Sequence, residues 1–259
     1  MTVVLETQNL SINFGAVVAA SNISVVVNKG EVVGVIGANG AGKTTFVNMV
    51  TGYLKPSSGR IRYLGKDVTK LTPRQVTELG IRRSFQIPQL FAEFTALENM
   101  LTAQSVAPEA TRSFWRPIWR PDSVASAMGR LELFGIAESA HRQVSMLPQG
   151  VRKILDIAMA TVGNPELVML DEPTSGVSAE EKFEVMDILM EAFAQQEVTV
   201  MFIEHDMELV ERYASRVLAF YNGLVIADAD TSQALADPQV REYVVGKELH
   251  RTQSSQGDN

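Results

Sequence analysis

A glycine-rich run, Gly37-Ala38-Asn39-Gly40-Ala41-Gly42-Lys43-Thr44-Thr45, sets one lysine and two hydroxyls directly behind three glycines. This is the complete pattern of a phosphate-binding loop (P-loop). The glycines let the backbone curl until successive N–H groups face phosphate oxygens, and a following helix adds its positive end. Lys43 then neutralises β/γ-phosphate charge, and the Thr44 hydroxyl is placed to ligate Mg²⁺. The flanking sequence supplies the required context. Val32 to Ile36 is a short β-branched run that reads as a strand, and Lys43 to Leu54 has helical spacing.

Asp171 and Glu172 follow another apolar run, Leu167 to Leu170. A buried strand there would carry both carboxylates to the C-terminal edge of a sheet, beside the loop. Phosphoryl transfer needs one acid to hold the metal and another to activate or orient water, which suits Asp171 and Glu172 respectively. His205 comes after a third such run, Val198 to Ile203, where an imidazole could reach a γ-phosphate. Gln86 ends the segment Arg82-Arg83-Ser84-Phe85.

Uniformly apolar short runs are typical of parallel strands covered by helices on both faces, so an α/β core is expected. Between about Ile87 and Gly163 the texture becomes helical, as in Thr95 to Gln104 and Ser123 to Phe134. That predicts a helical subdomain over about 87–163 inserted into a core of 1–86 and 164–251, with 252–259 a flexible tail. The segment Thr111 to Asp122 holds both tryptophans and reads as a loop with short helical turns. Net charge of −7 is the wrong sign for a nucleic-acid binder, and the absence of cysteine excludes disulfides and thiolate sites. No signal peptide or membrane-length apolar stretch is expected.

P-loop, glutamine, acid pair and histidine, taken in this order, resemble the nucleotide-binding subunits of ABC transporters over nearly the whole chain. The resemblance implies a P-loop NTPase (RecA-like) core with an N-terminal antiparallel β subdomain and an inserted α-helical subdomain, and an ATPase using ATP and Mg²⁺. It makes Gln86 the residue that senses magnesium and the permease, and His205 the switch that holds the γ-phosphate. Phe14, in Asn13-Phe14-Gly15, matches the aromatic that stacks on adenine. Ser175-Gly176-Val177-Ser178 matches the D-loop, with Ser178 in place of the usual aspartate. By the same resemblance a permease coupling helix would dock near Ile87 to Phe91.

Glu204-His205-Asp206-Met207, the Gln86 to Leu97 stretch, the insertion around Trp115 and Asp237-Pro238-Gln239-Val240 through Tyr243 resemble the ATPases of branched-chain or neutral amino-acid importers. Urea and lipid transporters are the alternative cargoes, and a regulatory nucleotide-binding module is the alternative class. The resemblance implies two permease subunits, an indirect link to a periplasmic binding protein, and a place on the cytoplasmic face of the inner membrane.

The family's signature, Leu-Ser-Gly-Gly-Gln, stands here as Leu147-Pro148-Gln149-Gly150-Val151. In ABC dimers this segment presents a helix N-terminus to the γ-phosphate of the opposite subunit. Pro148 lacks both hydroxyl and N–H, Gln149 adds a side chain where backbone should approach, and Val151 lacks an amide. The expectation is a heterodimer in which a homologous second ATPase subunit supplies an intact signature to this chain's P-loop.

Overall fold

The computed structural model describes residues 2–15, 17–84, 90–106 and 118–246. Gln86, the tryptophan segment up to Pro117 and the 252–259 tail therefore lie outside the described residues. In chain order the strands are β1 (Val3–Phe14), β2 (Val17–Asn28), β3 (Val32–Ile36), β4 (Ser58–Tyr63), β5 (Lys66–Asp67), β6 (Ile81–Ser84), β7 (Leu167–Asp171), β8 (Thr199–Ile203), β9 (Arg216–Tyr221) and β10 (Leu224–Asp230). The helices are α1 (Lys43–Val50), α2 (Pro73–Glu78), α3 (Ala96–Val106), α4 (Pro121–Leu133), α5 (Gln149–Ala160), α6 (Lys182–Gln195), α7 (Met207–Tyr213), α8 (Thr231–Ala236) and α9 (Pro238–Val240). They fall into two units, one of residues 1–79 and 199–259, the other of 80–198.

In the first unit, burial largely alternates along β1 and β2, as expected where one face of an antiparallel sheet is packed and the other wet. These strands join β4 and β5 in the order β2-β1-β4-β5. A second set runs β10-β9-β3-β8, with β9, β3 and β8 parallel. All five residues of β8 are buried, and all but Thr199 are apolar, as its sequence suggested. Full burial of each of the four apolar side chains contributes about 1.5–3 kcal/mol. Arg216 ties this set to β2: its guanidinium donates to both Asp228 oxygens at 2.6 and 2.9 Å and to Val26 O at 2.8 Å. The Asp228 carboxylate holds the Arg216 pKa above its ordinary value, against the opposing effect of burial.

Helix α1 ends at Val50, a turn earlier than the periodicity to Leu54 predicts. Gly52, at φ 79°, donates back to Met49 O and stops it. Phe46 of α1 lies against Phe220 of β9, ring centres 5.5 Å apart, which fixes the helix on the sheet.

The second unit pairs β6 with β7 in parallel, packs α5 on β6, and sets α3, α4 and α6 against α5. Helix α3 starts after a capping box that its sequence carries: Glu98 accepts from Thr95 N at 2.7 Å, and Thr95 Oγ1 from Glu98 N at 3.2 Å. Fully buried Asn99 accepts from Phe91 N and donates to Phe91 O and Thr95 O, stitching the preceding loop to the helix. Arg130 of α4 donates to Thr161 at 3.0 Å and Asn164 at 2.9 Å, and burial pushes its pKa down.

Candidate functional site

The P-loop leaves the C-terminal end of β3 and runs straight into α1. Gly42 is the N-cap of α1 at φ 108°, and no side chain caps the helix. A Cβ on Gly42 would lie 2.8 Å from Ala19 O, and one on Gly37 would collide with Phe220 O. Only glycine meets both the dihedral and the space there. Ala41 N donates to Ala38 O at 3.0 Å, closing the curl, while Asn39 and Gly40 are exposed at its tip. Lys43 is buried, its ammonium donating to Gly37 O and, at 3.2 Å, to Ala38 O. Thr44 is exposed and Thr45 half-buried on the first turn.

His205 reaches the same sheet edge. β3 and β8 are parallel with Val35 opposite Ile203, so Gly37 and His205, each two residues further on, leave the sheet at matched positions. Asp206 caps α7 by accepting from Glu208 N at 3.0 Å, which ends the strand and turns the chain at the histidine. Phe14, at the end of β1, is 51% exposed and thus outside the core, its ring face accessible to a planar group.

In the second unit, Asp171 ends β7 and Glu172 follows at φ 51°, a left-handed conformation costly for a residue with a side chain. Arg83 of β6 donates to Asp171 Oδ2 at 2.7 Å, the two side chains only 8% and 13% exposed. The sequence marked Arg83 only as a neighbour of Gln86; the parallel register, with Ser84 opposite Leu170, is what brings it to the acid. Beyond the acids, Ser178 Oγ accepts from Glu181 N at 3.3 Å, so the serine caps the turn into α6.

Pro148 is the N-cap of α5 at φ −55° and ψ 154°, and the helix opens on Gln149 with no side-chain cap. Leu147 is buried, Pro148 and Gln149 are exposed, and Val151 is half-buried. Gly150 packs α5 onto α6, since a Cβ there would be 3.1 Å from Val185 Cγ2. Gln149 leans over Gly176, its Nε2 3.5 Å from where a Cβ on that glycine would sit.

The ABC transporter family model matches residues 20–175. The chain belongs to the ABC transporter family. A probable branched-chain amino acid transport ATP-binding protein of Methanocaldococcus jannaschii is 32% identical over 252 residues, covering 94% of this chain and 98% of the relative. The high-affinity branched-chain amino acid transport ATP-binding protein of Escherichia coli is 34% identical over 251 residues, with the same shares covered. A crystal structure of an ATP-binding cassette of an ABC transporter in its ADP conformation superposes with a TM-score of 0.84 at 32% identity, covering 94% of this chain and 98% of that one. The fold is thus the P-loop NTPase fold of ABC ATPases, with antiparallel β and helical additions, and the chain is an ABC-type ATPase that binds nucleotide. The uncapped α1 terminus and glycine cradle fit the phosphates of that nucleotide, and the exposed Thr44 hydroxyl fits a hydrated cation beside them. Among the described residues no helix is long and apolar enough to cross a membrane.

Proposed function

We propose that this ABC ATPase energises a membrane importer of branched-chain or neutral amino acids, as one half of a heterodimeric ATPase carrying a degenerate signature. The observation that carries the catalytic half is the matched exit of Gly37 and His205 from parallel β3 and β8. In this reading Asp171 and Glu172 serve the nucleotide that the P-loop binds. Lys43 and His205 hold the terminal phosphate, and Glu172 takes a proton from water as its oxygen bonds to phosphorus and the bond to the ADP leaving oxygen breaks. Thr44, Gln86 and Asp171 would hold Mg²⁺, which supplies charge neutralisation across the β- and γ-phosphates. The domain limits stay as the sequence suggests, with a helical subdomain over about 87–163.

Names of relatives that cover nearly the whole chain support the cargo class. The partners that follow are two permease subunits and a second ATPase subunit, engaged from the cytoplasmic face, and a periplasmic binding protein acting through the permeases. Stacked Phe91 and Phe94, 52% and 42% exposed, offer the permease an apolar surface.

The heterodimer rests on Pro148. As N-cap it offers neither hydroxyl nor N–H to a phosphate across the dimer, and Gln149 occupies the position next to it. A charge-assisted hydrogen bond is worth about 1.5–3 kcal/mol, so the site this segment completes should turn over slowly. The triple change Pro148→Ser, Gln149→Gly, Val151→Gln should leave ATPase activity of the full complex undiminished or raise it. A large drop would mean that the native segment is itself competent.

Purifying the tagged chain with its native membrane complex and following uptake in ATP-loaded vesicles tests the whole reading. ATP-driven uptake of leucine or another neutral amino acid is expected. Uptake of urea, or lipid movement, would replace the cargo, and an assembled complex with no ATPase would mean a regulatory module. Phe14→Ala should weaken ATP binding about tenfold, since base–aromatic stacking contributes about 1–3 kcal/mol. Its melting temperature should not change, because the ring is half exposed. Unaltered affinity would remove Phe14 from the site.

A further inference from the structure

The turn joining β9 to β10 touches the P-loop through main-chain atoms. Gly223 N donates to Ala41 O at 2.9 Å, and Ser21 N donates to Gly223 O at 2.8 Å. A Cβ on Gly42 would stand 3.2 Å from Gly223 Cα. The loop is therefore walled on one side by residues 220–223, and its curvature cannot change without moving them. Asn222 and Gly223, at φ 48° and 77°, make the left-handed pair of a tight hairpin turn, so the wall is stiff within itself. What remains to be fixed is the placement of the whole turn against the loop.

Tyr221, the residue entering the turn, supplies that fixing point. Its ring stacks on Tyr243, centroids 4.6 Å apart and planes inclined by 19°. Tyr243 lies in a π-helical turn, Arg241–Val245, that follows α9. This segment has its own anchors. Val240 and Val244 are fully buried, Asp237 accepts from Gln239 N and Val240 N, and Arg241 Nε donates to Leu235 O at 3.1 Å. The stack thus connects a firmly held C-terminal segment to the backbone that shapes the phosphate cradle.

We propose that Tyr243 is a positioning residue for the P-loop: through Tyr221 it holds the 221–223 turn against Ala41 and Gly42, so that the C-terminal segment sets the affinity for nucleotide phosphates. The proposal rests on the P-loop being the nucleotide site. A stacked aromatic pair corresponds to about a two- to tenfold change in an equilibrium constant, which bounds the effect.

The test measures MgATP affinity and amide hydrogen exchange on the full chain, and kcat and KM on the assembled complex. Tyr243→Ala should weaken affinity about two- to tenfold and raise KM in proportion while kcat stays nearly constant. Exchange should quicken in peptides covering 37–43 and 221–224. Tyr243→Phe, which keeps the stack, should restore wild-type affinity, and Tyr221→Ala combined with Tyr243→Ala should be no worse than either alone. Wild-type affinity in Tyr243→Ala, or equal weakening in Tyr243→Phe, overturns the proposal, as does faster exchange spread over the unit with affinity unchanged. If the alanine variant does not fold, Tyr243→Leu keeps apolar bulk without the ring and is held to the same outcomes. Lys43→Ala is the control: full nucleotide affinity in that variant would overturn the P-loop reading itself, whereas loss there with no effect at Tyr243 overturns only this inference.

Discussion

Glu172→Gln leaves the assembled complex able to bind ATP while lowering its turnover by about two to four orders of magnitude, the usual contribution of a positioned general base. Glutamine preserves length and hydrogen bonding but cannot accept the proton that water must lose. The backbone at this position, just past the end of β7, is left-handed at φ 51°. Holding a glutamate there costs about 1–3 kcal/mol, a strain that packing around the strand end must sustain. Glu172→Gly should therefore be as inactive as the glutamine variant yet no less stable to heat, since glycine accepts this dihedral freely. Phosphate release from the complex, with ATP binding measured beside it, separates the two effects. Near-normal hydrolysis by Glu172→Gln would remove the residue from the chemistry.

Lys43→Ala should weaken ATP binding about ten- to a hundredfold, from loss of one charge-assisted contact of about 1.5–3 kcal/mol, and bring uptake to background. Two losses combine. The ammonium lies buried against Gly37 O and Ala38 O, so it braces the loop as well as offering charge to a phosphate. Titration with a fluorescent ATP analogue measures the first consequence, and amide exchange of the loop the second. Retained affinity together with normal uptake would end the account given for the whole site.

The sequence made the three central strands and the P-loop legible because each has a local cause. Buried parallel strands must be uniformly apolar, which marked β3, β7 and β8, and the loop's glycines are forced by dihedral and contact at Gly37 and Gly42. Helix limits were less legible. α1 ends at Val50, ahead of Gly52, although Leu54 continues the period, and α4 begins at Pro121, two residues before the apolar pattern does. The first of those had a signal, a glycine past the last buried turn; the second had a proline suited to a first helical position. Asn222-Gly223 was likewise a strong hairpin signal, between apolar Val217 to Phe220 and Leu224 to Ile226. Its meeting with Ala41 could not be read, since that depends on the order β10-β9-β3. Arg83 beside Asp171 and Tyr243 on Tyr221 are of the same kind, long-range pairings set by register rather than by spacing.

Asp171 already has a cation. Its 2.7 Å contact with the guanidinium of Arg83 is shielded from water, so salt in the medium screens it little. For the carboxylate to take the proposed metal, it must share or surrender that partner, and the displaced positive charge sits on β6. On the proposed assignment, loading the site exchanges one cation for another rather than filling an acidic hole.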